Sequence, residues 1–184
     1  MELNFMQSTR KLFGYYKSLG DKAMAQIEEK DLFVKPNLES NSIAIIVQHM
    51  HGNMLSRWTD FLTSDGEKDW RNRDLEFEDD MNSEKQIKDA WEKGWKCLFD
   101  AIDPLMDEDL SKIVYIRNEG HTVQEALLRQ IAHYSYHVGQ IVFLAKALKG
   151  EGWQTLSIAK NASKDYNNDK FNSEKQRGFF TDKV

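Results

Sequence analysis

Two histidines with the spacing of metal ligands, His133 and His137, stand four residues apart in the segment HYSYHVGQI. Residues four apart on a helix lie on one face, so both imidazoles can direct a ring nitrogen at one ion about 2.0–2.1 Å away. The same spacing also suits a hydrogen-bonded pair of core histidines that binds no metal. Whether the pair binds a metal or is a hydrogen-bonded core pair depends on whether the fold brings a further ligand to it.

His49 is the candidate third ligand. It follows the apolar segment AIIVQ in a predicted helix. His51 lies about 200° further round that helix, so only one of the two can face the core, and the more apolar face belongs to His49. Three buried imidazoles without a metal would need three separate sets of hydrogen-bond partners. The sequence therefore predicts that His49, His133 and His137 bind a divalent ion and leave positions open for water or substrate.

Polar residues near these histidines are candidates to complete the site. Asn53 lies one turn after the first predicted ligand and Gln140 three residues after the last. Both could orient the ligands, or they could satisfy each other and the backbone. Arg57, Arg71 and Arg73 could bind a carboxylate of a substrate. Arg71 and Arg73 lie among acidic residues, however, and are better explained as partners of those residues.

Several other catalytic sites are excluded because their residues are missing. The segment HYSYH lacks the glutamate of the HExxH zinc proteases. No Glu-x-x-His pair is present for a carboxylate di-iron bundle. Nothing in the chain resembles the GxSxG turn of a serine hydrolase. The three histidines remain the strongest chemical signal.

The elements that must position these residues are predicted to be helices, since the chain has only two prolines and ten glycines. Apolar spacing predicts four long helices, at roughly 2–29, from Asn41 or Ser42 to about 64, from a capping box at 83–86 to just before Pro104, and at 122–148. A long crossover spans about 63–82, and IVYIR followed by NEG predicts a short β-hairpin before the last helix. The predicted class is all-α, a four-helix bundle.

Length and charge restrict the class of protein further. The 184 residues suit one domain, predicted at 1–160 with a polar C-terminal tail at 161–184. The net charge of −5, with no long basic run, argues against nucleic-acid binding. The longest apolar run, IAIIV, is too short to cross a membrane. A single cysteine, Cys97, fits a reducing cytoplasm.

Two longer stretches carry a family resemblance. RWTDFLTSDGEKDWRNRDLEFED, beginning at Arg57, and LRQIAHYSYHVGQIVFLAKAL, at 128–148, resemble an uncharacterised branch of the DinB/YfiT-like superfamily of metalloenzymes, a domain of unknown function. The resemblance implies a four-helix bundle in an up-down-down-up order, usually a homodimer. It also implies that His49, His133 and His137 bind a divalent metal, often Zn or Ni. The segment WQTLSIAKNAS departs from the branch's usual tail, so no tail contact to the site is inferred.

The resemblance also indicates a reaction. Characterised members of the superfamily include mycothiol-dependent maleylpyruvate isomerase and bacillithiol S-transferases. We therefore expect a metal-dependent thiol S-transferase that joins a low-molecular-weight thiol to a small electrophile in detoxification. Two alternatives remain open: a metal-dependent hydrolase, and a non-catalytic, stress-related binding or scaffold protein.

Overall fold

A computed structural model describes residues 4–182. In this range the protein is mostly helical, with one antiparallel sheet of two strands. The helices are α1 (Phe5–Met24), α2 (Ile43–Trp58), α3 (Glu84–Ile102), α4 (Val123–Lys149) and α5 (Ser163–Phe171), and the strands are β1 (Ile113–Ile116) and β2 (Glu119–Thr122). Short 3₁₀ helices lie at Glu29–Phe33, Asp74–Phe77 and Asp107–Ser111. No described helix is both long and apolar enough to cross a membrane.

The first four helices share one core, built around four aromatic rings. Phe13 of α1 contacts Trp58 of α2, Trp95 of α3 and Tyr134 of α4, with ring centroids 6.1–6.5 Å apart. All four side chains are almost completely buried. Edge-to-face aromatic packing adds to the burial of apolar area. Each of these four helices therefore contributes one aromatic residue to the centre of the core, and the contacts between these rings hold the four helices together.

Two predicted helices end earlier in the structure. The predicted first helix reached 29, but α1 ends at Met24 and the chain turns before the 3₁₀ helix Glu29–Phe33. The predicted second helix reached 64, but α2 ends at Trp58. Asp60 adopts a left-handed conformation (φ 51°), which is incompatible with continuing a right-handed helix. The early end of α2 lengthens the crossover to α3.

The N-terminal caps were predicted correctly for α4 and in part for α3. Thr122 Oγ1 accepts from the Glu125 backbone N–H (3.1 Å), and Glu125 Oε2 accepts from the Thr122 N–H (2.7 Å), which completes a capping box. Ser83 caps α3, but the Gln86 side chain accepts from the Asn82 N–H (2.8 Å) rather than from Ser83. The capping box predicted there is therefore incomplete.

The β-hairpin before α4 is confirmed. Its two-residue loop is Arg117-Asn118, and both residues have positive φ (55° and 61°), as a hairpin turn that matches the strand twist requires. Asp65 of the crossover accepts from both loop N–H groups, at 2.8 and 2.7 Å. The hairpin is thereby attached to the crossover.

The crossover between α2 and α3 is fixed against α2 by side-chain hydrogen bonds. Ser56 Oγ donates to the Gly66 carbonyl (2.8 Å) and accepts from the Lys68 N–H (3.1 Å). Gln48 Nε2 donates to the carbonyls of Leu75 (2.8 Å) and Glu78 (3.1 Å). These contacts hold the 3₁₀ helix Asp74–Phe77 beside the middle of α2, where His49 lies.

The polar C-terminal tail predicted at 161–184 contains a short helix. Residues Ser163–Phe171 form α5, none of which is buried. Before it, Trp153 and Leu156 pack against the core. The apolar segment that precedes the tail thus packs against the helices, while α5 stays at the surface.

Two glycines of α1 provide a matched test of helix packing. A Cβ on Gly20 would lie 2.5 Å from the Trp91 ring, whereas a Cβ on Gly14 would have no atom within 4 Å. We expect Gly20→Ala to lower the free energy of unfolding by about 1–3 kcal/mol through overpacking. Gly14→Ala should raise it by about 0.5–1 kcal/mol, because alanine restricts the unfolded chain. Urea unfolding of both variants measures the free energy of unfolding. If the two substitutions change it in the same direction, the result would contradict the packing of α1 on α3.

Candidate metal centre

The structure brings the three predicted histidines together. His49 projects from α2, and His133 and His137 project from successive turns of α4. Their Nε2 atoms converge: His133 Nε2 lies 3.3 Å from His49 Nε2 and 3.1 Å from His137 Nε2. Nitrogens held about 2.1 Å from one tetrahedral ion lie about 3.4 Å from each other. The three residues are therefore close enough to hold a metal.

The protons on these rings also fit a cation better than a hydrogen-bonded cluster. His49 Nδ1 donates to Glu76 Oε2 (2.9 Å), and His137 Nδ1 donates to Gln140 Oε1 (3.0 Å). In the neutral imidazole the other ring nitrogen then carries a lone pair. His133 Nε2 can donate to only one of the two lone pairs that face it. A metal ion would satisfy all three nitrogens at once.

Glu76 orients His49 and is itself held by an arginine. Arg71 donates to both carboxylate oxygens of Glu76, Nε to Oε1 at 2.7 Å and Nη2 to Oε2 at 2.9 Å. The side chains of Arg71 and Glu76 are only 3% and 8% exposed. Burial raises the pKa of Glu76, but the hydrogen bonds from His49 and Arg71 outweigh it and leave the pKa below its usual range. Glu76 is therefore an ionised acceptor that fixes the His49 tautomer.

The predicted polar residues Asn53 and Gln140 have different partners. Gln140 contacts the His137 ring, as described above. Asn53 Oδ1 accepts from the Tyr134 hydroxyl (3.0 Å), which in turn accepts from Trp58 Nε1 (3.0 Å). The two amides do not contact each other in any described hydrogen bond. Asn53 thus links the cleft to the aromatic core, while Gln140 acts on a candidate ligand directly.

Burial keeps two of the rings neutral. Burial, together with the neighbouring histidines, lowers the pKa of His133 to about 3. Burial likewise lowers the pKa of His137 to about 4, although its hydrogen bond to Gln140 opposes the shift. A metal ligand has to be deprotonated. Near neutral pH these nitrogens are therefore available without first losing a proton.

The three histidines open onto a cleft of about 470 Å³. Phe77 and Tyr136 contribute its aromatic walls. Its charged lining consists of arginines alone: Arg57, Arg71, Arg73, Arg117 and Arg129. Cys97 lies in a different cavity, and burial raises the pKa of its thiol. A thiolate reacting in the histidine cleft would have to come from another molecule.

The sequence did not single out Glu76 as a site residue, nor Arg117 and Arg129 as lining of the cleft. By sequence alone Glu76 is one of several acidic residues of the crossover, and Arg71 is expected to be a partner of that group. The Arg71–Glu76 pair exists, but it also contacts His49. The length of the crossover was the only available signal, because long ordered loops often carry function.

These features define a helical protein with a three-histidine site at the base of a cleft. Over residues 1–162 the chain matches the model of a family described as a protein of unknown function, DUF1572. Because the match covers most of the chain, the protein belongs to this family. No match was found among curated proteins or among solved structures. The prediction that the chain belongs to an uncharacterised family is confirmed. The description of the family assigns no function, so the site is the evidence for what the protein does.

The low pKa values predict acid sensitivity of the metal-free protein. His133 and His137 titrate near 3 and 4 in the folded chain, below their ordinary value of 6.5. As the pH falls through about 6.5, the unfolded chain therefore takes up protons first, and stability is lost progressively. Allowing for partial solvent exposure, we expect roughly 2 kcal/mol less free energy of unfolding at pH 5 than at pH 7.

Urea unfolding in the presence of a chelator measures this pH dependence. The double variant His133→Gln, His137→Gln is the control, and its stability should change less over the same range. The window lies above the ordinary carboxylate pKa values, so Glu76 stays ionised throughout. If the free energy of unfolding falls equally with pH in the wild type and the double variant, the result would contradict burial of neutral imidazoles.

Proposed function

We propose that this protein is a cytoplasmic, metal-dependent thiol S-transferase that joins a low-molecular-weight thiol, of the bacillithiol type, to a small electrophile in detoxification. The observation that carries the proposal is the convergence of three Nε2 atoms at the base of an open cleft. Three imidazoles leave coordination positions free. Zn and Ni are the metals we expect, since neutral imidazole suits both.

The ion would supply one effect: it would lower the pKa of a thiol in the cleft, so that the sulfur is a thiolate at neutral pH. The protein's own groups hold the geometry. Glu76 and Gln140 fix two of the rings through their Nδ1 protons. Phe77 and Tyr136 border the space in which an electrophile would lie. In the transfer the thiol proton passes to solvent, sulfur bonds to the electrophilic carbon, and the leaving group departs with its electron pair.

The overall assembly is part of the proposal. We assign α1–α4 to a four-helix bundle of the DinB/YfiT type, supported by their shared aromatic core and the long crossover after α2. We also propose a homodimer. One side of α4 carries Leu128, Tyr136 and Phe143, whose exposed fractions are 49%, 64% and 71%. Apolar exposure of this kind is typical of an interaction surface. Light scattering measures the mass of the protein in solution, which should be that of two chains.

Thiol transfer is tested with a chromogenic electrophile, 1-chloro-2,4-dinitrobenzene, and either bacillithiol or cysteine. We expect thiol-dependent release of chloride by protein loaded with Zn or Ni. Activity should disappear on chelation and return when the metal is added back. If metal-loaded protein does not consume thiol faster than the uncatalysed reaction does, the result would contradict the transferase proposal.

The two alternatives predict different results in the same assays. A metal-dependent hydrolase would cleave an activated ester without any thiol, since a zinc ion held by the three imidazoles would lower the pKa of a bound water to about 7. A binding or scaffold protein would neither transfer thiol nor hydrolyse the ester while retaining its metal. Each of these outcomes would replace the transferase proposal.

A further inference from the structure

We propose that the histidine cleft contains a binding site for an oxyanion, a carboxylate or phosphate group, centred on the buried guanidinium of Arg57 with Arg129 at its edge. The inference rests on the proposed function only for the molecule that carries this group, which would be the thiol or the electrophile. The anion site itself is argued from charge, burial and packing in the cleft.

Arg57 is a buried cation, and two of its three side-chain nitrogens have no hydrogen-bond partner in the described part of the chain. The residue is 4% exposed, and these two atoms, Nε and Nη1, are fully buried. Arginine carries five N–H donors and stays protonated in proteins. Leaving charged donors unpaired away from water is costly. Since Arg57 also lines the cleft, an anionic ligand is the partner its position suits.

Asp65 and Glu67, the carboxylates that interact electrostatically with Arg57, are already engaged elsewhere. Asp65 accepts from the backbone N–H groups of Glu67, Arg117 and Asn118, at 2.7–2.8 Å. The Glu67 carboxylate accepts from Arg71 Nη1 at 2.9 Å and from Arg117 Nε at 3.4 Å. Neither carboxylate forms an ion pair with Arg57 among the described contacts. The charge of Arg57 is therefore not neutralised at close range by the fold.

The lining of the cleft has one sign of charge. Five arginines and no acidic residue line it. Arg71 and Arg117 have carboxylate partners, whereas Arg73 lies over the Phe77 ring (5.0 Å) and Arg129 donates to His121 Nε2 (3.3 Å). Within residues 4–182, no carboxylate pairs with Arg57, Arg73 or Arg129. A cleft lined by one sign of charge concentrates ligands of the opposite sign.

Gly66 makes room for the guanidinium. A Cβ at this position would lie 2.7 Å from Arg57 Nη1 and 3.0 Å from its Cδ. The Gly66 carbonyl is meanwhile bonded to Ser56 and its N–H to the Tyr115 carbonyl, at 2.8 Å each. The crossover therefore approaches the arginine closely, and the carboxylates on either side of Gly66, Asp65 and Glu67, interact with Arg57 without forming an ion pair among the described contacts. The guanidinium is thereby held in place where Arg57 lines the cleft.

The test measures anion binding to metal-loaded protein by calorimetry, with inorganic phosphate and succinate as separate probes. We expect saturable binding of at least one probe to the wild type, weakened at least tenfold in Arg57→Gln and several-fold in Arg129→Gln. Lys85→Gln removes the same charge from the exposed surface of α3 and should bind as the wild type does. The stronger probe identifies the ligand group as phosphate or carboxylate.

Two further measurements distinguish an anion site at Arg57 from a structural cation and from anion binding to the metal. Arg57→Gln without anion should unfold at the same temperature as the wild type or higher, because it removes an unpaired buried charge. A lower unfolding temperature would make Arg57 a structural cation and overturn the proposal. Anion affinity that is unchanged in both Arg57→Gln and Arg129→Gln, or that chelation of the metal abolishes, would also overturn it.

Anion binding and thiol transfer can fail separately. Loss of thiol transfer in every assay, with anion binding that depends on Arg57, would refute the transferase and leave the oxyanion site standing. Thiol transfer at the wild-type KM in Arg57→Gln, with anion affinity unchanged in Arg57→Gln and Arg129→Gln, would refute the oxyanion site and leave the transferase standing.

Discussion

Replacing His49 with alanine is expected to remove the metal from the protein. The wild type should carry close to one ion per chain, and the variant only a background amount. The reason is geometric: His49 is the only described histidine on α2 whose Nε2 lies beside those of the α4 pair. Two imidazoles from a single helix would have to complete the coordination with water. Plasma mass spectrometry of untagged protein measures the metal content, and His137→Ala should give the same loss.

His51 provides the matched control for this experiment. It lies two residues from His49 on the same helix, and burial lowers its pKa below the usual value. It nevertheless does not belong to the three-histidine cluster. His51→Ala should therefore retain its metal. Equal loss from both variants would indicate that the metal depends on the integrity of α2 rather than on the His49 ring. Metal retained by His49→Ala would contradict the centre itself.

The second large effect is expected from Glu76→Ala. The change leaves Arg71, whose side chain is 3% exposed, without its bidentate partner, and it leaves His49 Nδ1 without an acceptor. Breaking one side of a buried ion pair costs about 3–5 kcal/mol. Removing the group that orients a metal-binding histidine weakens metal affinity by about 10–100-fold. Urea unfolding of the metal-free protein and competition with a chelating indicator measure the two effects separately.

Glu78 offers the matched control, two residues further along the same crossover. It is exposed and forms no described ion pair, so Glu78→Ala should change the free energy of unfolding by no more than about 0.5 kcal/mol. Glu76→Gln keeps the shape of the side chain but removes its charge, and should fall between the wild type and Glu76→Ala in both measurements. If Glu76→Ala binds metal with wild-type affinity, the contact to His49 is only structural.

The helices and the clustering of the three histidines could be predicted because both follow largely from local rules. Apolar residues repeating every three to four positions place α1–α4, and the same periodicity puts His133 and His137 on one face of α4. It also separates His49 from His51, since two residues cover more than half a turn. The capping box at Thr122 is local in the same sense: its two hydrogen bonds join residues three apart.

Contacts between residues distant in the sequence could not be predicted in this way. Glu76 reaches His49 because a crossover without regular periodicity folds back along α2, and no local pattern specifies that path. The cleft gathers Arg57, Arg117 and Arg129 from three different elements. Whether each arginine has a carboxylate partner depends on distances of a few ångströms across those elements.

The sequence alone was therefore sufficient to name the three histidines, because helix geometry relates spacing directly to a shared face. Only the tertiary structure showed what surrounds them. The hydrogen bonds to Glu76 and Gln140 assign the ring protons, and the arginines of the cleft, Arg57 among them, give it its charge. Such properties depend on burial and on contacts across elements, which are established when the chain packs and not by the order of its residues.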